Sequence, residues 1–278
     1  MSFTHTALIT GGTANLGFQC ALGIAQQHPE YLVVICSRSD PNSAAASINK
    51  TTRQKNVIFL PIDLSSLANV RAFADTWKTK QFPTIIALVL NAGLQFPGEV
   101  QMTGDGIEST FAINHVGHAL LFHLLFPYLA DKARIAITSS GTHDPAQKTG
   151  LPDAEYVTAE QLAHPTPESA KSAGRQRYAS SKLANVMWTY ALHRRLSTMT
   201  KRKLTVVAFD PGLMPGTGLA RDVGVDVEGK SGVYFEGKEI IRSSKDSYDE
   251  SKQEDLWEWT IKATATSENE RREFGLVN

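Results

Sequence analysis

Short apolar runs alternate with longer amphipathic segments from the N-terminus to Asp210. Six runs are apolar at most positions, as in parallel strands that are buried on both faces, and they span residues 7–10, 31–37, 57–61, 85–91, 134–139 and 205–210. Apolar residues recur at helical spacing in four segments between them, residues 16–27, 67–78, 107–129 and 178–196. This alternation predicts an α/β protein with a Rossmann-type, doubly wound parallel sheet in a three-layer α/β/α arrangement.

Two stretches interrupt the alternation. Residues 141–174 contain four prolines and mixed charge, which predicts a long insertion loop. Residues 212–278 form a C-terminal region that is polar and glycine-rich until a predicted helix at 254–265, with a short strand predicted at 233–236. Neither stretch has the composition of a linker, so the sequence predicts a single domain over residues 1–278.

Composition and charge indicate which kinds of molecule this protein is not expected to bind. Hydrophobic residues make up 42% of the chain and charged residues 20%, which is typical of a globular protein. The formal net charge is zero, so neither nucleic acid nor an anionic membrane is an expected partner. The longest apolar stretch, residues 119–130, is shorter than the roughly 20 residues of a spanning helix, and no membrane anchor is predicted. Only Cys20 and Cys36 carry thiols, which favours a reducing compartment, and the predicted location is the cytoplasm.

A glycine-rich turn, TGGTANLG at residues 10–17, joins the first predicted strand to the first predicted helix. Glycines in this context let the backbone turn tightly and approach a pyrophosphate, whose charge then lies at the amide end of the helix. The turn predicts a dinucleotide site. A strand-to-helix turn that needs a positive φ is the alternative explanation.

The end of the second predicted strand bears on the choice of dinucleotide. An NAD site usually has an acidic residue here to bind the ribose 2′-hydroxyl, whereas this chain has Ser37 followed by Arg38. A guanidinium suits a 2′-phosphate by charge and geometry, so NADP (NADPH) is the predicted cofactor. A solvated arginine at a strand end is the alternative.

Tyr178 and Lys182 are four residues apart at the predicted start of a helix, so their side chains share one face. A phenol is a poor acid or base at neutral pH, and a neighbouring ammonium would lower its pKa. Ser139 and Ser140 end the fifth predicted strand at the sheet edge where ligands gather in open α/β sheets. This constellation predicts acid–base chemistry by Tyr178.

At this point the chain resembles the short-chain dehydrogenase/reductase family, from the glycine turn through Thr217. Asn91-Ala92-Gly93 is similar to the motif that closes the family's fourth strand, and Asp63-Leu64 to its adenine-contacting pair. Pro211-Gly212 with Thr217 resembles the segment over the nicotinamide carboxamide. The cofactor-binding residues that the turn, the second strand and this resemblance imply together are Gly11, Thr13, Asn15, Leu16, Gly17, Ser37, Arg38, Asp63, Leu64, Asn91, Ala92, Gly93, Tyr178, Lys182, Pro211, Gly212 and Thr217.

The resemblance also implies catalytic roles. Asn114, in the segment FAINHVGH at residues 111–118, would hold a proton-relay water, and Ser140 would contact the substrate carbonyl. Tyr178 would be the proton donor or acceptor, and Lys182 would bind the nicotinamide ribose. The implied activity is hydride transfer between NADP(H) and a small-molecule carbonyl or alcohol. Within the family, the motifs look most like the branch of retinol dehydrogenases, WW-domain oxidoreductase and protochlorophyllide reductase.

Three departures from the family pattern affect these expectations. Asn15 replaces the middle glycine of the turn, which asparagine tolerates because it adopts the left-handed region more readily than most residues. Residues 141–177 are longer than the usual segment and would cover a dimerisation helix, so both a monomer and a homodimer remain open. The interval from Thr217 to Gly232 is short for the substrate-covering region, so the substrate itself is not predicted.

Other interpretations of the polar residues are weaker. His115 and His118 share a helix, but no ligand cluster accompanies them, and no metal site is predicted. Ser140, His143 and Asp144 have the residue types of a hydrolase triad, yet no Gly-x-Ser-x-Gly elbow is present. The serious alternative is a regulator that binds NADPH without turnover, which would have no need of a tuned phenol.

Overall fold

The computed structural model describes residues 2–171, 173–212 and 229–275. In this part of the chain the strands are β1 (His5–Thr10), β2 (Tyr31–Ser37), β3 (Val57–Pro61), β4 (Ile85–Leu90), β5 (Leu129–Thr138), β6 (Thr205–Asp210), β7 (Val233–Glu236) and β8 (Glu239–Ile241). They form one sheet in the order β3-β2-β1-β4-β5-β6-β7-β8. Neighbours are parallel except β7 and β8, which are antiparallel. The predicted doubly wound α/β fold is therefore confirmed.

Helices flank the sheet. They are α1 (Asn15–Gln27), α2 (Ala44–Thr52), α3 (Leu67–Lys80), α4 (Ser109–Phe111), α5 (Gly117–Leu125), α6 (Ala159–Ala163), α7 (Gly174–Met199), α8 (Glu250–Thr264) and α9 (Glu268–Gly275). Alternate residues of a strand point to opposite faces, and β1 shows this directly. Ala7 and Ile9 pack with Ala21 of α1 and Ile48 of α2, whereas Leu8 belongs to the core on the other face, with α3, α5 and α7.

The sequence predicts one regular helix over residues 107–129, and the structure shows that both its ends and its regularity are wrong. The segment divides into α4, a π-helical turn (Ala112–Val116), α5 and a 3₁₀ turn (Phe126–Tyr128). Pro127 lies in the 3₁₀ turn, where a residue without an N–H is tolerated, and Leu129 already begins β5. The π-helical turn places an irregularity in the helix at Asn114.

The predicted insertion loop at residues 141–174 contains short helices. Asp144 caps the 3₁₀ turn Pro145–Gln147, and Thr158 caps α6 by accepting a hydrogen bond from the Gln161 amide at 3.2 Å. Helix α7 begins at Gly174 and not at Tyr178, so Tyr178 lies in its second turn. A Cβ at Gly174 would lie 1.8 Å from the Phe96 carbonyl oxygen, which fixes a close approach of α7 to the segment after β4.

The C-terminal region adds a further helix pair outside α7. Predicted strand 233–236 is confirmed as β7, and the predicted helix at 254–265 is α8, which begins earlier because Asp249 caps it. Trp257 of α8 stacks with Trp188 of α7 at 6.5 Å between ring centroids. Among the described helices, none is long and apolar enough to cross a membrane.

Candidate functional site

The turn after β1 is bound to the segment after β4. Thr10 Oγ1 accepts hydrogen bonds from the Asn91 amide at 2.8 Å and the Ala92 amide at 3.0 Å. Asn91 Nδ2 donates in return to the Thr10 carbonyl at 2.9 Å. Gly11 has φ of 68°, in the left-handed region that favours glycine. The two predicted motifs, the glycine turn and Asn91-Ala92-Gly93, therefore form one hydrogen-bonded unit.

Gly17 allows α1 to pack against that unit. A Cβ at Gly17 would lie 2.3 Å from the Gly11 carbonyl oxygen and 2.8 Å from Asn91 Nδ2. Asn15 has φ of 48°, so it adopts the left-handed conformation that the sequence analysis expected it to tolerate. The N-terminus of α1 with its free amides therefore faces the carboxyl edge of the sheet.

A cleft of about 330 Å³ opens at this edge. The predicted cofactor residues that line it are Gly11, Thr13, Asn15, Leu16, Gly17, Ser37, Arg38, Asp63, Leu64, Asn91, Ala92 and Gly93. The lining also includes Leu94, in the segment after β4, and Ile113, in the π-helical turn. The sequence analysis missed both because an apolar side chain gives no chemical signal. Arg38 is exposed at the end of β2, and Asp63 is held by Ser65, whose amide and hydroxyl donate to its Oδ1 at 2.9 and 2.6 Å.

Pro211 and Gly212 directly follow β6, two strands from β4 in the sheet. Gly212 has φ of 76°, and its amide donates to Asp210 Oδ1 at 2.8 Å. Thr217, the remaining predicted cofactor residue, lies outside the described residues.

Tyr178 and Ser140 are brought together across the insertion. Burial raises the pKa of Tyr178, and the neighbouring Ser140 hydroxyl acts against that effect. Lys182 Nζ lies 5.5 Å from the centre of the Tyr178 ring and donates to the Thr138 carbonyl at 3.0 Å. The expected lowering of the Tyr178 pKa by Lys182 is not found in this structure, since the ammonium is directed to the end of β5 and the phenol is half-buried.

Lys182 is 2% exposed, and this burial lowers its pKa to about 8, because water no longer stabilises the ammonium. The negative charge of Asp210 opposes that effect. A Cβ at Gly93 would lie 3.3 Å from Lys182 Nζ and 3.4 Å from Asn114 Oδ1. Gly93 therefore brings the wall of the cleft against two of the predicted catalytic side chains.

Asn114 lies in the π-helical turn and connects the cleft to α7. Its Nδ2 donates to the Ser181 hydroxyl at 3.0 Å, and that hydroxyl donates to the Tyr178 carbonyl at 2.7 Å. A π-helical turn is a frequent feature of functional sites, because it frees a backbone group from regular pairing. The Asn114 carbonyl is contacted by His118 Nδ1 at 3.2 Å.

The helix histidines form hydrogen bonds to protein groups. His115 contacts Asn185 Oδ1 at 3.3 Å and Thr260 Oγ1 at 3.2 Å, and His118 Nε2 contacts Thr10 Oγ1 at 2.9 Å. Burial lowers the pKa of His115 to about 4 and that of His118 to about 3, so both rings are neutral at physiological pH. His118 thereby links Asn114 to the glycine turn.

One polar residue at this edge escaped the sequence analysis. Asp210 is the last residue of β6, and its carboxylate accepts from the amides of Gly141 and Gly212. The available signal was its position, because an acidic residue at the carboxyl end of a buried parallel strand faces the ligand edge of the sheet.

A parallel sheet whose first strand leads through a glycine turn into a helix, with a cleft at its carboxyl edge, defines a Rossmann-type dinucleotide-binding protein. The sequence model of the short chain dehydrogenase family matches residues 5–150. The chain belongs to this family, in its retinol dehydrogenase-like branch.

Two known proteins are similar in sequence to this chain. WW domain-containing oxidoreductase of Gallus gallus is 34% identical over 193 residues, which cover 68% of this chain and 45% of that protein. Short-chain dehydrogenase TIC 32 B, chloroplastic, of Brassica napus is 28% identical over 92% of this chain and 88% of its own length. The chain thus spans less than half of the first relative and most of the second.

A solved structure of a short chain dehydrogenase from Escherichia coli CFT073, complexed with NADPH, has the same fold. It superposes with a TM-score of 0.61 at 17% identity, over 86% of this chain and 98% of that one.

Proposed function

We propose that this protein is an NADP(H)-dependent oxidoreductase that interconverts a small-molecule carbonyl and the corresponding alcohol, with Tyr178 as the acid or base. Membership of the family supports oxidoreductase chemistry on such groups. The observation that carries the proposal is the convergence of Asn114, Ser140, Tyr178 and Lys182 beside the cleft.

The cleft fits a dinucleotide. Gly11 and Gly17 line the cleft, and a Cβ on Gly17 would collide with the Gly11 backbone. The amide end of α1 suits a pyrophosphate, and Asp63 and Leu64 would hold the adenine. Asn91, Ala92 and Gly93 complete the wall toward the catalytic side chains. When bound, the nicotinamide supplies the hydride.

Preference for NADP(H) over NAD(H) is proposed from the end of β2. Arg38 is exposed, lines the cleft and follows Ser37, where an NAD site would have an acidic side chain. A guanidinium binds a phosphate with two parallel hydrogen bonds, so Arg38 would hold the 2′-phosphate. The NADPH complex of the Escherichia coli protein with the same fold supports this choice.

The proposed proton chemistry uses the chain's own side chains. In reduction, the Tyr178 phenol donates its proton to the substrate oxygen, while the Ser140 hydroxyl donates a hydrogen bond to the same oxygen. Burial raises the pKa of Tyr178, so the phenol holds its proton at neutral pH and can be the proton donor in reduction. Oxidation of an alcohol reverses the transfer. Asn114 would hold a water that returns the proton to solvent.

A Tyr178→Phe variant tests this assignment. The variant keeps the ring and its packing but loses the hydroxyl, so we expect carbonyl reduction by NADPH to fall by about 10²-fold or more. Affinity for NADPH, measured by calorimetry, should change little. Tyr128→Phe is the matched control, since Tyr128 lies in the 3₁₀ turn before β5, away from the carboxyl edge. Unchanged turnover in Tyr178→Phe would overturn the proposed role.

The alternative, an NADPH-binding regulator, predicts tight cofactor binding by the wild type without turnover of any carbonyl in a broad panel. The cofactor choice is tested by paired titrations with NADPH and NADH. Arg38→Ala should weaken NADPH binding about tenfold or more and leave NADH binding nearly unchanged. Arg134→Ala is the control, because Arg134 is exposed in the middle of β5, away from the carboxyl edge of the sheet. Equal loss for both dinucleotides would contradict the role of Arg38.

A further inference from the structure

Asp210 joins two segments that end beside the catalytic side chains. Its Oδ2 accepts the Gly141 amide at 2.8 Å, and its Oδ1 accepts the Gly212 amide at 2.8 Å. Gly141 directly follows Ser140, and Gly212 directly follows Pro211. One carboxylate therefore fixes the turn after β5 relative to the segment after β6.

The approach of the Gly141 turn to Asp210 is close. A Cβ at Gly141 would lie 3.0 Å from Asp210 Oδ2 and 2.2 Å from Gln147 Oε1, so the turn can seat on the carboxylate because residue 141 is glycine. The positive φ of Gly212, 76°, is what turns the second amide back toward the same carboxylate. The glycines at positions 141 and 212 therefore allow both segments to approach the Asp210 carboxylate.

Asp210 is also the negative charge that acts on the catalytic side chains. It raises the pKa of Tyr178 and of Lys182, both on α7. Two other titratable groups face Asp210. Burial lowers the pKa of His143 in the turn after β5, and Asp210 opposes that effect, whereas burial and Asp210 both raise the pKa of Tyr234 on β7. Asp144 and Glu236 are further carboxylates around Tyr234.

We propose that Asp210 is a positioning residue of the active site, which holds the Ser140 turn and the Pro211–Gly212 segment in register beside the catalytic side chains. This inference rests on the proposed function for its catalytic consequence, and on the two amide hydrogen bonds for its structural one. An asparagine could accept through a single oxygen, so neutralisation also removes one of the two anchors.

The role of Asp210 in holding the two segments can be tested without any substrate. Amide hydrogen exchange at Gly141 and Gly212 is measured by NMR in the wild type, in Asp210→Asn and in Asp144→Asn. We expect exchange at one or both amides to accelerate about tenfold or more in Asp210→Asn, because a hydrogen bond to a charged acceptor is lost. Asp144 is the matched control, since it accepts the Ala146 amide at 3.0 Å in the same turn. Unchanged exchange in Asp210→Asn would overturn the proposal.

The catalytic half is read from the pH profile of carbonyl reduction. Without the carboxylate, Tyr178 and Lys182 both lose their protons at lower pH, so the basic limb of kcat should move to lower pH. We expect kcat to fall about tenfold, with less than about a threefold change in NADPH affinity. Asp210→Glu keeps the charge and should restore the basic limb more than it restores kcat.

The outcomes separate this inference from the proposed function. A wild type without turnover, or a Tyr178→Phe variant with full turnover, overturns the proposed function, and the exchange measurement then still decides whether Asp210 anchors both segments. Faster exchange in Asp210→Asn with an unchanged kcat and pH profile would show a purely structural residue and overturn the positioning role.

Discussion

Asn114 and Leu94 exchange two hydrogen bonds at the wall of the cleft. The Leu94 amide donates to Asn114 Oδ1 at 2.8 Å, and Asn114 Nδ2 donates to the Leu94 carbonyl at 2.9 Å. Asn114 itself is fully buried in the π-helical turn. The Asn114 amide thus pairs with both backbone groups of Leu94, as a neighbouring strand would. These two hydrogen bonds hold the segment after β4 against the π-helical turn.

Asn114→Ala should therefore release the segment after β4 from the π-helical turn. Two backbone groups of Leu94 and the Ser181 hydroxyl lose their partner, and we expect the free energy of unfolding to fall by about 1–3 kcal/mol. Chemical denaturation measures the change. Asn69→Ala is the control, because Asn69 is exposed on the first turn of α3, and its effect should stay within about 0.5 kcal/mol. An equal, small effect for both variants would contradict the structural role of Asn114.

Gly17→Ala should weaken binding at the proposed cofactor site. The added Cβ would lie 2.3 Å from the Gly11 carbonyl oxygen, which is backbone and cannot swing away. Either α1 or the turn must shift, so we expect NADPH affinity to fall by more than about tenfold, with a loss of stability of about 1–3 kcal/mol. Calorimetric titration and thermal melting measure the two effects.

Gly104→Ala is the matched control for this change. No heavy atom lies within 4 Å of a Cβ at Gly104, so binding and stability should stay near the wild-type values. Full NADPH affinity in Gly17→Ala would show that the close approach of α1 to the turn is not needed for binding.

The sheet could be predicted from the sequence because its strands are apolar on both faces, and the β2, β3 and β6 ranges agree with the structure. Strand β8 was missed since Glu239 and Ile240 are exposed and give no apolar run. Helix α2 was missed as well, because its apolar face consists mainly of Ala44 and Ile48.

The candidate site was predictable in its residue types but not in its orientations. Spacing placed Tyr178 and Lys182 on one helix face, yet no spacing indicates that Lys182 Nζ donates to the Thr138 carbonyl. The hydrogen bonds of Asn114 in the π-helical turn, to Leu94 and Ser181, join segments that are distant in the sequence and have no local sequence signature. Such tertiary hydrogen bonds determine the pKa values, and the sequence alone does not contain them.

The pKa of Lys182 sets the expected pH dependence of carbonyl reduction. Burial lowers it to about 8, and burial also raises the pKa of Tyr178, so Lys182 loses its proton first as the pH rises. We expect kcat/KM to decline as the pH passes through about 8, because the neutral amine of Lys182 would donate a weaker hydrogen bond to the nicotinamide ribose.

Lys182→Arg keeps a charge that does not titrate in this range, so the decline should move to higher pH in whatever activity the variant retains. Steady-state kinetics between about pH 6 and 10 measure both profiles. If kcat/KM of the wild type does not change with pH across this range, the prediction that deprotonation of Lys182 limits the activity is wrong.

Arg71 and Glu270 connect α3 to the C-terminal helix α9. Arg71 Nη1 and Nη2 donate to the two oxygens of Glu270, each at 2.8 Å, and the Thr266 amide donates to Oε2 at 2.7 Å. The Arg71 hydrogen bonds lower the pKa of Glu270 to about 2, from about 4.5 in the unfolded chain. Both side chains are partly buried, 25% and 22% exposed, so solvent screens the pair less than a fully exposed one.

The sign of the resulting pH dependence follows from linkage. A carboxyl whose pKa is lower in the folded state contributes its full stabilisation above about pH 4.5 and loses it as the pH falls toward 2. Glu270→Gln should therefore lower the free energy of unfolding by about 1–3 kcal/mol at pH 7, and this difference should shrink steadily below about pH 4.5.

Urea denaturation from about pH 7 to 3 measures the difference between wild type and variant. Glu268→Gln is the matched control on the same helix, because its partner Arg271 is three residues away and the Glu268 side chain is 76% exposed. That change should cost no more than about 0.5 kcal/mol at any pH. A Glu270→Gln difference that stays constant with pH would mean that the lost amide and guanidinium contacts, and not the carboxylate charge, stabilise the junction of α3 and α9.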